Sequence, residues 1–261
     1  MQRIAVLFPG QGSHAEGMDA GLRDVPAMRR GIELLGFDPF ARLAEGTRFQ
    51  QPALFLCSVA AWEQERPRNV VAAAGHSLGE YAALVAAGAL AFDDALRVVT
   101  VRGEAMAAAP PGGMTAFLGG DEDEVRALAA DLGLTVANDN APGQLVLSGT
   151  LDALAEAEAR TDARTRRLDV SGAFHSPLMA SAAGALHDAL AAVEVRRPAF
   201  PVYSNGTARP FVDVREELVA NLTRPVRWRE TVLALDADGF VELGPGRVLT
   251  GLVKRTLRVA A

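Results

Sequence analysis

The chain has 261 residues, 49% hydrophobic and 22% charged, with a formal charge of −6. That length suits one good-sized domain, or a larger domain carrying a smaller one, and the acidic balance disfavours nucleic acid as the main partner. Four histidines and one cysteine leave neither a disulfide framework nor a clustered zinc site, and Cys57 reads as a small buried apolar residue. The opening MQRIAVLFPGQGS is too short an apolar run for a signal peptide, and YAALVAAGALAF (81–92) is too short to span a bilayer. A soluble cytoplasmic protein without membrane association is expected.

In chain order, IAVLF (4–8) is a continuous apolar run followed by Pro9 and Gly10, as a buried parallel strand requires. VVAAAGHS (70–77) repeats that pattern, and from Leu78 the texture LGEYAALVAAGAL turns helical. Residues 92–109 read as a second helix, capped by Asp93 or Asp94 and stopped at Pro110-Pro111-Gly112-Gly113. Beyond that break MTAFLGG, DEDEVRALAADLG, LTVAND, QLVLSG, TLDALAEAEARTD and TRRLDV follow in the order βαββαβ, the pattern of a ferredoxin-like unit. Another helix starts at Ser176-Pro177, with the serine as cap and the proline at its first position. PVYSNGT ends a strand on an Asn-Gly turn, and GFVELGPG (239–246) supplies a last strand before the helix VLTGLVKRTL. The expectation is a mostly parallel α/β domain, residues 1–110 and 172–261, interrupted by a ferredoxin-like small domain, residues 111–171.

GHSLGE (75–80) admits two readings. Ser77 and Glu80 match the S-x-x-E capping box of a helix start. Gly75 to Gly79 also match G-x-S-x-G, a strained strand-to-helix turn that exposes a nucleophilic hydroxyl, and an apolar strand before and a helix after are what that motif demands. A hydroxyl there faces the positive end of a helix, with the Leu78 N–H turned toward any oxyanion. A second donor must come from another loop, and Pro9-Gly10-Gln11-Gly12-Ser13 lies at the same carboxyl edge of the sheet.

Such a serine needs a base. His187 falls inside a predicted helix and reads as a surface residue, while His76 neighbours the serine and points to the opposite face of the strand end. His14, in the first loop, and His175, on a junction before a helix start, both remain candidates.

FPGQGS (8–13), GHSLGE (75–80), VRGEAM (101–106), GAFHS (172–176), NLTRPVRW (221–228) and ELGPGRVLTGL (242–252) together resemble the malonyl-CoA:acyl-carrier-protein transacylase family, which includes the acyltransferase domains of fatty-acid and polyketide synthases. The resemblance implies an α/β-hydrolase-like large domain interrupted by the ferredoxin-like one. By motif position it implies Ser77 as acyl-accepting nucleophile, His175 as its base, and the N–H groups of Gln11 and Leu78 as oxyanion hole. The base would be oriented by a main-chain carbonyl at Asn221, where relatives usually carry glutamine. Arg102 would receive the free carboxylate of malonate, which a planar guanidinium holds through two parallel hydrogen bonds. Phe174 resembles malonyl-selective members, and His76 is counted with Arg102 and Phe174 among the substrate-binding residues.

The implied partners are malonyl-CoA and an acyl carrier protein bearing a phosphopantetheine thiol, with no bound cofactor or metal and a monomeric enzyme. Docking an acidic carrier would need local basic patches, for which Arg164, Arg166 and Arg167, or Arg224, Arg227 and Arg229, are candidates. The chain is shorter than expected for the family, with trimming around Glu65 to Asn69 and within the small domain. Competing readings are a serine hydrolase drawing its acid from Asp139 or Asp169, an acyltransferase of a polyketide or malonate-decarboxylating system, and a catalytically idle carrier-binding subunit.

Overall fold

The computed structural model describes residues 1–170 and 172–260. Ser171 and Ala261, the expected last residues of the small and large domains, lie outside them. The chain begins with β1 (Ile4–Phe8), α1 (Pro26–Leu35), a 3-10 helix at Pro39–Glu45 and α2 (Thr47–Glu65), then β2 (Val70–Gly75), α3 (Gly79–Ala86) and α4 (Phe92–Ala107). Next come β3 (Gly113–Leu118), α5 (Glu122–Asp131), β4 (Thr135–Ala141), β5 (Gln144–Gly149), α6 (Leu151–Arg160) and β6 (Arg164–Arg167). A 3-10 turn at Pro177–Met179 leads into α7 (Ala180–Ala191), β7 (Val202–Ser204), β8 (Arg209–Pro210), α8 (Val214–Ala220), α9 (Trp228–Ala234), β9 (Gly239–Glu242) and α10 (Val248–Ala260).

The larger sheet has the order β8-β7-β2-β1-β9, in which β7, β2, β1 and β9 run parallel and β8 is an antiparallel edge. Central β1 is covered on both faces: Val6 and Phe8 join the core built by α2, α3 and α4, while Ala5 and Leu7 join one built by Trp228, Val232, Leu249 and Leu252. Double burial is why its sequence is a continuous apolar run and not an alternation. The smaller sheet, β4-β5-β3-β6, is antiparallel throughout. Helices α5 and α6 cover one face through Val125, Ala129, Leu154 and Ala157, and Met114, Ala116 and Val146 on the other face join the large core. A bridge between Pro111 and Gly172 closes the point where the chain enters and leaves this unit.

The first strand, the elbow strand and the βαββαβ order stand where expected. The second helix differs at its start, since its cap is Ala91 and makes no side-chain bond. Asp93 and Asp94 lie within the first turn, where they pair with Arg30 and Arg97. Negative charge in a first turn still favours the helix through its dipole. Helices α1, α2, α8 and α9 have no counterpart in the sequence reading. In α2 every residue from Phe49 to Ala61 is buried, so no polar stripe marks its period, and Pro52 lies inside it. Among the described residues no helix is long and apolar enough to cross a membrane.

The β2–α3 corner is built on close backbone approach. A Cβ on Gly75 would run into the Gly79 carbonyl group and the Glu80 nitrogen, and one on Gly79 would run into the Phe8 carbonyl. Backbone cannot swing aside as a side chain can. Gly79→Ala is therefore expected to lower unfolding free energy by about 3 kcal/mol, read as a shifted urea midpoint; an unchanged midpoint would contradict this account of the corner.

Candidate active site

Ser77 occupies the corner with φ of +52°, a left-handed conformation uncommon for a non-glycine residue. Its N–H donates to Asn205 Oδ1 at 2.6 Å, and Asn205 Nδ2 in turn donates to the Gly75 carbonyl at 2.6 Å. The capping box is not formed. Glu80 instead accepts from the Asn205 N–H at 2.7 Å and from Asn221 Nδ2 at 3.0 Å. Released from capping, the Ser77 hydroxyl lies 2.8 Å from His175 Nε2 and accepts from Arg102 Nη2 at 3.1 Å.

His175 is the imidazole that the fold brings to the serine, and it too is left-handed, with φ of +57°. Its Nδ1 stands 2.9 Å from the Asn221 carbonyl oxygen and 3.1 Å from that of Arg224. Carbonyls only accept, so Nδ1 carries the ring proton and the Nε2 lone pair faces Ser77. Burial, reinforced by the charges of Arg102 and His76, pushes the imidazole down to about 3. It is neutral at pH 7 and free to accept the Ser77 proton.

Arg102, on α4, is only 4% exposed, which excludes a solvated surface arginine. Its Nη1 donates to Gln51 Oε1 at 2.6 Å, and its guanidinium carbon sits 5.8 Å from the Tyr81 ring centroid. Burial lowers its proton affinity, yet a guanidinium remains charged in proteins. The result is a desolvated cation touching the serine oxygen. Gln51, on α2, escaped the sequence reading. It is fully buried and connects Arg102 to the first loop by donating to Gln11 Oε1 at 3.2 Å. Two adjacent glutamines, Gln50 and Gln51, inside an otherwise apolar run were the signal.

Gln11 is fixed by its side chain, which also accepts from Thr47 Oγ1 at 2.8 Å and donates to Gln50 Oε1 at 3.0 Å. Among the described residues the N–H groups of Gln11 and Leu78 have no hydrogen-bond partner. Phe174 is buried in the large core beside His175. His76 turns away from Ser77, with Nε2 2.8 Å from Asn140 Oδ1 and its ring against Trp228, and lines a cleft of about 330 Å³ with Gln11 and Arg166. His14 lines a different cleft, of about 790 Å³, together with Gln11 and Asp169. His187 is exposed beside Asp188.

Among the described residues no carboxylate orients His175. Asp139 is engaged by Arg126 and Arg229, and Asp169 lies in the cleft with His14. Among the described residues no group of three histidine, cysteine or acidic side chains could hold a metal ion. Three of the six candidate docking arginines are neutralised: Arg167 by Glu158, Arg227 by Glu230, and Arg229 by Glu122 and Asp139. Arg164, Arg166 and Arg224 are exposed and pair with no acid among the described residues.

An imidazole held neutral down to about pH 3 beside a serine hydroxyl gives a direct expectation. Protonation would silence His175 only below its own pKa, so Ser77 should react with an organofluorophosphonate at a rate with no step near 6.5, the ordinary histidine value. A half-loss of reactivity there would mean an ordinary, solvated imidazole.

The geometry has counterparts in known proteins. Residues 38–261 match the model of the acyl transferase domain. The polyketide biosynthesis protein ThaF of Burkholderia thailandensis is 41% identical over 97% of this chain, which spans only 24% of that longer protein. The malonyl CoA-acyl carrier protein transacylase of Bacillus subtilis is 40% identical over 99% of this chain and 92% of its own length. The crystal structure of the corresponding transacylase from Burkholderia pseudomallei superposes with a TM-score of 0.92 at 35% identity, covering 99% of each chain. A type II polyketide-synthase acyl-carrier protein has been solved in complex with its malonyl-transacylase, similar at TM-score 0.91 and 34% identity over 98% of this chain and 93% of that one. An α/β-hydrolase-like domain carrying a ferredoxin-like one is thus the shared architecture, and this chain belongs to the acyl transferase domain family.

Proposed function

We propose that this protein transfers a malonyl group from malonyl-CoA to the phosphopantetheine thiol of an acyl carrier protein through a malonyl ester of Ser77. The observation that carries this reading is the Ser77 hydroxyl placed 2.8 Å from His175 Nε2 and 3.1 Å from Arg102 Nη2. Nucleophile, base and cation share one oxygen.

His175 Nε2 takes the Ser77 proton as Oγ attacks the thioester carbon. The unpartnered N–H groups of Gln11 and Leu78 are the donors available to the tetrahedral oxyanion. When the C–S bond breaks, the departing CoA sulfur takes the proton from His175. The carrier's thiol then gives its proton to His175 and attacks the ester carbonyl, and Ser77 recovers the proton as its bond to the acyl group breaks. The free carboxylate of malonate pairs with Arg102, displacing the guanidinium from Ser77. A monocarboxylic acyl group would leave this buried cation unpaired, at a cost of several kcal/mol.

Phe174, beside the base, restricts room for an α-methyl group, a shape selection worth about 1 to 3 kcal/mol. His76 and Asn140 face the cleft that also exposes Gln11, which suits the pantetheine arm. Of the six candidate docking arginines, Arg164, Arg166 and Arg224 are the ones left exposed and without an acid partner among the described residues, open to an acidic carrier. The reading includes a cytoplasmic monomer, with residues 111–171 as the small domain and residues 1–110 and 172–261 as the large one. A hydrolase reading finds no acid behind His175 and gives the buried Arg102 no task.

Intact-protein mass spectrometry after mixing with malonyl-, methylmalonyl- or acetyl-CoA tests this. Malonyl should appear on the wild-type protein, be absent from Ser77→Ala, and form about 100-fold more slowly on Arg102→Ala. Hydrolysis to free malonate without carrier, or equal labelling by acetyl-CoA, would contradict it.

A further inference from the structure

Glu80 is the one carboxylate of the elbow, and it has no part in the transfer steps above. It is 2% exposed, on the first turn of α3, three residues after the serine. Its Oε1 receives two donors from distant parts of the chain: the Asn205 N–H at 2.7 Å and Asn221 Nδ2 at 3.0 Å. Asn221 Nδ2 also approaches Oε2 at 3.2 Å and donates to Ser204 Oγ at 3.1 Å.

Each of these asparagines touches one half of the dyad. Asn205 Oδ1 accepts the Ser77 N–H, and that bond fixes the serine's left-handed backbone. The Asn221 carbonyl accepts from His175 Nδ1, and that bond fixes the imidazole's tautomer and direction. Glu80 therefore joins the two supports at a single oxygen. A helix cap would not require this, since the Ser77 N–H that a capping box would use is taken by Asn205. Burial drives the carboxyl up to about 8, with the Asn205 and Asn221 donors and the Arg102 charge opposing it. Burying such a group is costly without a return in hydrogen bonds, and here its hydrogen bonds go to the two residues that hold serine and histidine.

We propose that Glu80 is a positioning residue: through Asn205 and Asn221 it sets the Ser77–His175 distance, with no contact to substrate. The proposal rests on the malonyl-transfer reading above. It concerns an acceptor at the Oε1 position, so it separates two isosteric replacements. Glu80→Met keeps the length and removes the acceptor; Glu80→Gln keeps an amide oxygen where Oε1 stands.

The test is steady-state transfer from malonyl-CoA to a holo acyl carrier protein, alongside thermal melts. Glu80→Met should lose about 100-fold in kcat, the scale of a misplacement of 1 Å, with KM for malonyl-CoA changed less than about threefold. Glu80→Gln should recover at least about tenfold of that loss, because it restores the shared acceptor. Asn221→Ala keeps the main-chain carbonyl and cuts the side chain's ties to Glu80 and to Ser204 Oγ; set against Ser204→Ala, which cuts the second tie alone, it should lower kcat about tenfold at unchanged KM, and it reads the same link should Glu80→Met not fold. A folded Glu80→Met enzyme with wild-type kcat, a Glu80→Gln enzyme no better than Glu80→Met, or wild-type kcat in Asn221→Ala would overturn the proposal. Those outcomes leave the wild-type malonyl-Ser77 adduct in place, so they are distinct from failure of the transfer reading, in which the wild-type protein itself takes up no malonyl.

Discussion

The site depends on one hydrogen bond, from the Ser77 hydroxyl to a His175 nitrogen that must stay unprotonated. An alcohol is a poor nucleophile, and it becomes a useful one only as its proton leaves for a nearby base. The structure places the His175 imidazole, the base of the proposed cycle, in contact with the hydroxyl, and burial keeps it neutral. Arg102 acts on both members. Its donation polarises the serine oxygen, while its charge opposes protonation of His175. In the proposed cycle, a carboxylate on Arg102 cancels much of that opposition, so a diacid substrate raises the basicity of the group that must take the proton. A substrate lacking the second carboxylate gains neither the pairing nor this adjustment.

Both members of the dyad sit in backbone conformations that L-residues avoid; the Ser77 N–H is held by the Asn205 amide and the His175 ring by main-chain carbonyls. Strain of this kind persists only where surroundings over-determine it. Here the surroundings are the glycine approach of β2 to α3, and the carbonyls of Asn221 and Arg224 behind the imidazole. Orientation by carbonyls has a chemical consequence. A carboxylate behind the ring would stabilise imidazolium, whereas two neutral acceptors fix the tautomer with less gain in basicity, leaving the depression by burial largely intact.

Much of this was legible in the residues. β1, β2 and the βαββαβ unit announced themselves because each carries a period or a run that burial enforces, bounded by glycine or proline. Ser77 was ambiguous between cap and nucleophile, and its surroundings decided the matter: the Ser77 N–H needed by a cap goes to Asn205, a residue 128 positions away. Helix α2 was silent because it is buried nearly all round, so that no polar stripe marks its period, and a proline lies inside it. Gln51 was silent with it. The roles of Asn205 and Asn221 as supports depend on contacts across more than a hundred residues with Glu80, which no local pattern encodes. Three of the candidate docking arginines were misleading for the opposite reason: Arg167, Arg227 and Arg229 look free in the sequence but meet acids folded against them.

Nitrogen-15 NMR of the histidine side chains at pH 7, with His175 assigned by substitution, tests the central interaction most directly. The account predicts a neutral ring whose Nδ1 carries the hydrogen and whose Nε2 resonates as an unprotonated, hydrogen-bond-accepting nitrogen. A charged imidazolium, or a neutral ring with its hydrogen on Nε2, would contradict it.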